Sequence, residues 1–109
     1  MTGVQTCALP IYDVASKTGT TQLPDTPVFA NIRTGNKDAW FAAYTPEYVA
    51  VVWMGYDNDQ DSDGNPQYLR QIYGGKYPAQ LWKLAMTEAL KDAPASSFTK
   101  PADIVSRCV

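Results

Sequence analysis

The sequence predicts an α+β fold, with antiparallel sheet strands and a C-terminal packing helix. Three features predict it. Residues 38–44 (DAWFAAY) and 48–54 (YVAVVWM) are apolar on both alternating faces and rich in aromatic and β-branched residues, as in strands buried inside a sheet. Only Thr45, Pro46 and Glu47 separate them. Pro46 suits the first central position of a turn, so the pair should be an antiparallel hairpin. Further on, Trp82, Ala85, Met86, Ala89 and Leu90 follow the i, i+3, i+4, i+7, i+8 spacing of a helix with one apolar stripe.

The remaining elements follow in chain order. Residues 1–11 (MTGVQTCALPI) have neither a helical nor a strand period, and they lack the basic start and apolar core of a secretory signal. The string resembles the translation of a sequencing adapter. It is therefore expected to be a non-native scar without specific packing, with natural sequence starting near Tyr12 and the chain cut upstream. Residues 12–21 (YDVASKTGTT) run extended into a Gly- and Thr-rich end. Residues 22–37 hold two prolines and one glycine and read as a surface loop, long enough to cover something or to be an insertion. Residues 57–66 form a polar acidic loop, and Gly74-Gly75 marks a second turn. Pro78 fits the first helical position. Gln80, Lys83, Thr87 and Lys91 take the solvent side of the helix, which should end near Asp92, before Pro94. Residues 95–101 read as a linker, and 102–109 as the start of another strand. Three segments result: 1–11 adapter-like, 12–92 the folded part, 93–109 linker and truncated C-terminal segment.

At 109 residues and 12.0 kDa there is room for about one small domain. The net charge of −2 argues against nucleic-acid binding through bulk positive charge. No run is long and apolar enough to span a membrane. With no histidine, the chain by itself has no His triad, His base or His metal ligand. Cys7 and Cys108 sit near opposite ends and do not form a Cys-rich zinc site. Two strands and one helix do not satisfy this much two-sided apolar surface. Trp40, Phe41, Trp53, Met54 and Trp82 need partners on both sheet faces. The chain therefore reads as one edge of a larger sandwich of helices on a sheet, exposing a large apolar patch when alone.

The sharpest candidate site is Lys17-Thr18-Gly19-Thr20. It puts a cation beside two hydroxyls that can bind a carboxylate, and beside a glycine that admits another backbone or a ligand. A strand that merely ends in small polar residues is the plainer reading of so short a motif. A phosphate loop is excluded, because Ser16 and Ile11 stand where it needs glycines. Asp59, Asp61, Asp63 and Gly64 copy the opening of a calcium loop, but Arg70 replaces the closing acid and Pro66 the usual aliphatic residue. A solvated acidic loop is the better reading, and no metal is expected. Ser97-Phe98-Thr99-Lys100 matches S-x-x-K, whose chemistry needs Ser and Lys one helical turn apart. Pro101 pushes Lys100 out of the helical region, so the match is a decoy. The aromatic residues around Trp40 and Trp53 lack the interleaved Lys or Arg of a base-stacking platform.

The whole register is more specific than any one motif. ASKTGTT, then NKDAWFAAYTPEYVAVVWMGYD, then YGGKYPAQLWKLAMTEAL together resemble the C-terminal part of the transpeptidase domain of class A (bifunctional) penicillin-binding proteins, from about Asp13 to the chain end. Ala43 and Ser16 stand where glycines are common in that family, and the 22–37 loop is longer than in many relatives. The resemblance implies a fragment of the serine β-lactamase/transpeptidase-like fold. It implies a peptidoglycan D,D-transpeptidase that acts through a serine acyl-enzyme, with stem peptides and β-lactams as partners, no cofactor, and a place on the extracytoplasmic face of the bacterial membrane. Three motifs serve that chemistry: S-x-x-K, S-x-N and K-T-G. Only the third is in these residues, since Ser62 follows K-T-G and lacks the Asn. By position, Lys17 tunes charge and proton transfer, and Thr18 and Thr20 bind the donor or β-lactam carboxylate. Gly19 keeps the strand open, and the Thr20 backbone N–H donates to the oxyanion. The nucleophile, the glycosyltransferase domain and the membrane anchor are expected upstream, leaving a fragment inactive alone. A serine β-lactamase or D,D-carboxypeptidase fragment, and a non-catalytic peptide-binding module, remain as alternatives.

Overall fold

The computed structural model describes residues 13–94, 96–105 and 107, and the backbone of Gly3–Gln5. Strands β1 (Gly3–Gln5), β2 (Val14–Gln22), β3 (Asn36–Tyr44) and β4 (Val49–Gly55) form one sheet in the order β1-β2-β3-β4, every pair antiparallel. Helix α1 (Tyr77–Ala89) packs on one face. The architecture is the expected α+β fold.

The β3–β4 hairpin forms where the sequence predicts it. The Thr45 N–H donates to the Tyr48 carbonyl at 2.8 Å. The buried Thr45 hydroxyl in turn accepts from Tyr48 N–H at 3.2 Å, so the turn's buried polar groups are satisfied. On β3, Ala39, Phe41 and Ala43 face inward. Val14, Phe41, Ala43, Trp82, Met86 and Leu90 form the core between sheet and helix, with Ala50 and Val52 of β4 at its margin. Phe41 and Trp82 meet edge-on, with ring centroids 5.8 Å apart. The Trp82 indole N–H donates to the Ala50 carbonyl at 3.1 Å.

The structure can be compared with the sequence expectations at five places. First, the apolar patch expected of the chain alone is present: one face of the two strands is covered and the other is open. Trp40 and Tyr44 of β3 and Val49, Val51 and Trp53 of β4 line the open face, with Val49 72% exposed. The single helix lies on the other face. Second, β3 starts at Asn36, because Asn36 exchanges both backbone hydrogen bonds with Leu69, at 3.0 and 2.8 Å. Third, α1 ends at Ala89 and buries the i, i+4 line Pro78, Trp82, Met86, followed by Leu90. Ala85 and Ala89 are exposed, as are Leu81 and Leu84, because no described element lies over that flank.

Fourth, the linker is docked. The Phe98 ring meets Tyr44 edge-on at 5.5 Å, and its N–H donates to the Asp13 carboxylate at 3.1 Å. Residues 102–103 turn, and 104–105 form no strand. Fifth, Gly3–Gln5 pairs with Val14, Ala15 and Ser16, although this segment was expected to pack against nothing. The β2 edge offers backbone donors and acceptors that a returning chain satisfies. Cys7 and Cys108 lie outside the described residues. Within the 22–37 loop, a single 3-10 turn (Pro27–Phe29) buries Phe29.

Candidate active-site strand

β2 presents the K-T-G residues at an open edge. Lys17 pairs with Ala42, Thr18 with Phe41, Gly19 with Trp40 and Thr20 with Ala39. Directly opposed residues share a face, so Thr18 and Thr20 lie on the helix side and Lys17 and Gly19 on the other. β1 covers the outer edge of β2 only as far as Ser16. From Lys17 to Gln22 no described strand lies along that edge. Lys17, Thr18 and Thr20 are exposed. The Lys17 ammonium donates to the Thr18 carbonyl at 2.8 Å.

The turn before α1 reaches across this strand. The Gly74 N–H donates to Thr20 Oγ1 at 3.1 Å, over 54 residues of sequence. Gly74 is buried. A Cβ on Gly74 would collide with the Trp40 carbonyl oxygen and come within 3.1 Å of both Gly19 N and Thr18 Cβ. A Cβ on Gly19 would stand 3.4 Å from Trp40 Cβ, an ordinary contact. Close approach within this chain thus requires glycine at 74 and not at 19. Sequence reasoning saw Gly74 only as a turn former. Its signal was the Gly-Gly pair ahead of Pro78, but nothing in the sequence pairs it with Thr20.

The other candidates separate from this strand. The Asp61 carboxylate accepts from the backbone N–H groups of Asp63 and Asn65, both at 2.9 Å, and from the Asn65 side chain at 3.1 Å. The Asn65 backbone and side-chain bonds hold its pKa below the ordinary carboxylate value. Asp59 pairs with Lys37 at 2.6 Å. The acidic residues thus organise their own turn, and among the described residues no three His, Cys, Asp or Glu side chains group as metal ligands do. Ser97 and Lys100 lie in non-helical backbone, without the one-turn spacing that S-x-x-K chemistry needs. An open cleft of about 620 Å³ lies at the start of β3, lined by Thr34, Gly35, Asn36, Tyr68, Arg70 and Gln71, away from the K-T-G residues.

Lys17-Thr18-Gly19-Thr20 thus lies on the stretch of β2 that no described strand flanks on its outer side, in a sheet backed by a single helix among the described residues. No protein-family model matches the chain. Over most of its length it is nonetheless homologous to penicillin-binding proteins. It is 38% identical, over 84% of its residues, to Penicillin-binding protein 1A of Mycobacterium tuberculosis. It is 37% identical over 96% to Penicillin-binding protein 1A of Pseudomonas aeruginosa, and 39% identical over 84% to Penicillin-binding protein 1F of Bacillus subtilis. The chain spans about a tenth of the length of each of these relatives. The Pseudomonas match covers so much of the chain that it runs into the first eleven residues. Neither that match nor the β1 pairing supports the adapter reading of this segment.

Proposed function

We propose that residues 12–92 are the C-terminal part of the transpeptidase domain of a bifunctional penicillin-binding protein, and that β2 supplies its K-T-G strand. The carrying observation is the β2 edge from Lys17 to Gln22, unoccupied by any described strand and bearing the exposed Lys17 and the exposed Thr18, Thr20 and Thr21. Homology to penicillin-binding proteins over 84% and 96% of the chain supports the reading. It favours a transpeptidase over a β-lactamase, a carboxypeptidase or a non-catalytic peptide binder.

In this reading the nucleophile belongs to an S-x-x-K motif outside these 109 residues. The serine oxygen attacks the carbonyl of the penultimate D-Ala of a stem peptide. The peptide C–N bond breaks, and the terminal D-Ala leaves with a proton on its amine. An amine of a second stem then attacks the ester carbonyl, forming the cross-link and returning the proton to the serine. A β-lactam is opened by the same attack, but its amine stays tethered to the acyl group. The donor lies along the β2 edge as an added strand. Thr18 and Thr20 hydroxyls donate to its carboxylate, Lys17 supplies positive charge beside the nucleophile's motif, and the Thr20 N–H donates to the oxyanion. Gly19 leaves the edge open. The work is done outside the cytoplasmic membrane, with anchor and glycosyltransferase domain in other parts of the protein.

A labelled penicillin tests this. The 109-residue chain should form no covalent adduct, whereas the intact protein should. Lys17→Ala in the intact protein should slow acylation by about 10²–10³, the usual cost of one lost contact in a preorganised site. An unchanged acylation rate would remove the site from this strand, and labelling of the short chain at Ser97 would make S-F-T-K a working motif.

A further inference from the structure

The Gly74 amide and the Thr20 hydroxyl meet across the K-T-G strand, and their geometry bears on how that hydroxyl is aimed. The Gly74 N–H donates to Thr20 Oγ1 at 3.1 Å. A hydroxyl has one hydrogen and two acceptor positions. With one acceptor position taken by Gly74, its own hydrogen must point elsewhere. Thr20 is exposed, and the outer edge of β2 carries no described strand at this position. We propose that Gly74 is a positioning residue. Its amide holds the Thr20 hydroxyl as an acceptor on the turn side, so that the hydroxyl donates outward to an anionic group lying along the strand. This rests on the reading of Lys17, Thr18 and Thr20 as a carboxylate site.

Two further facts support the assignment. The amide reaches Thr20 only because Gly74 lies directly on the strand, where a Cβ would strike the Trp40 carbonyl oxygen and crowd Gly19 N and Thr18 Cβ. The turn is also tied down from both sides. Lys76 N–H donates to the Tyr73 carbonyl at 3.0 Å, and Asn36 Nδ2 donates to the Ile72 carbonyl at 2.8 Å. The group that orients Thr20 is thus held by β3 and by the start of α1. A hydroxyl already oriented loses less freedom on binding than one that must be ordered by the ligand.

The test uses the intact protein and two probes, a labelled penicillin and the same compound as its carboxyl methyl ester. The readout is the ratio of their acylation rates. Thr20→Val keeps the shape and removes the hydroxyl. It should lower the carboxylate-to-ester ratio roughly ten- to a hundred-fold, as expected for a hydrogen bond to a charged group. Gly74→Ala should lower the same ratio, and by clearly less when Thr20 is already Val, the remainder coming through Thr18, which the added Cβ also crowds. A Gly74→Ala effect that persists unchanged in the Thr20→Val background overturns the proposal, because Gly74 then acts on something else. An unchanged ratio in Thr20→Val overturns the carboxylate-site reading itself, and the proposal with it. Should Gly74→Ala fail to fold, hydrogen exchange decides. The Gly74 amide should exchange faster in Thr20→Val than in the unsubstituted protein, and equal exchange overturns the proposal.

Discussion

Trp82 ties helix to sheet in two ways at once. Its ring packs edge-on against Phe41, and its indole N–H satisfies the Ala50 carbonyl. The residue is almost fully buried. Trp82→Ala should therefore cost about 3–5 kcal/mol, read from denaturant unfolding of the intact protein. Trp82→Phe keeps most of the ring and loses the donor, so about 1–3 kcal/mol is expected from the unpaired carbonyl. Equal losses in the two variants would mean that the hydrogen bond, and not the packing, carries the effect. At this same scale the sequence was only half legible. Trp82 as a core residue follows from its place in the apolar stripe. Its partner Ala50 does not, since an alanine carbonyl leaves no mark in a sequence. The same holds for Gly74 and Thr20, whose contact depends on where the turn before α1 lands.

Among the elements, the 57–66 loop shows local chemistry deciding structure. Asp61 accepts three hydrogen bonds within its own turn, and the loop closes through a bridge between Gln60 and Pro66. Its lowered pKa means that the folded loop binds the proton more weakly than the unfolded chain. The contribution of Asp61 is thus fully present above the ordinary Asp value and is lost as pH falls through the lower, folded one. The Asp63 and Asn65 amide resonances, followed by NMR from about pH 6 down to about pH 2, should shift with a midpoint below the usual carboxylate range. In Asp61→Ala that shift should be absent. A midpoint within the usual range would take the Asp61 hydrogen bonds out of the turn's stability. The hairpin and α1 were legible as elements because their signals are local: a proline turn between two β-rich runs, and a proline-started helix with a repeating apolar line. The docking of Phe98 onto Tyr44 was not, because an isolated aromatic in a polar segment has no period to reveal its partner.

For the whole molecule the main feature is asymmetry. One sheet face is closed by α1. The other exposes Trp40, Tyr44, Val49, Val51 and Trp53, and Leu81 and Leu84 stand out from the helix flank. The open sheet face, where Trp40 opposes Trp53 and Tyr44 opposes Val49, is an apolar patch of the kind that marks an interaction site. In the proposed reading it is where the remainder of the transpeptidase domain packs. The 109-residue chain by itself should therefore bind a hydrophobic-surface dye and self-associate. Changing Val49 and Val51 to Thr should reduce both, since the two side chains point outward. A sharp cooperative melt of a monomer without dye binding would mean that the open face needs no partner.

The sequence by itself determined the fold class, the hairpin and the helix start, because each rests on short-range periodicity or on turn chemistry carried by neighbouring residues. Only the tertiary structure decided which sheet face is covered and how narrow the buried helix stripe is. It alone revealed that a glycine 54 residues away holds the Thr20 hydroxyl. Those outcomes depend on where separate elements come to rest against one another. Backbone amides and carbonyls meet there without regard to side-chain identity, so no residue pattern records the contact.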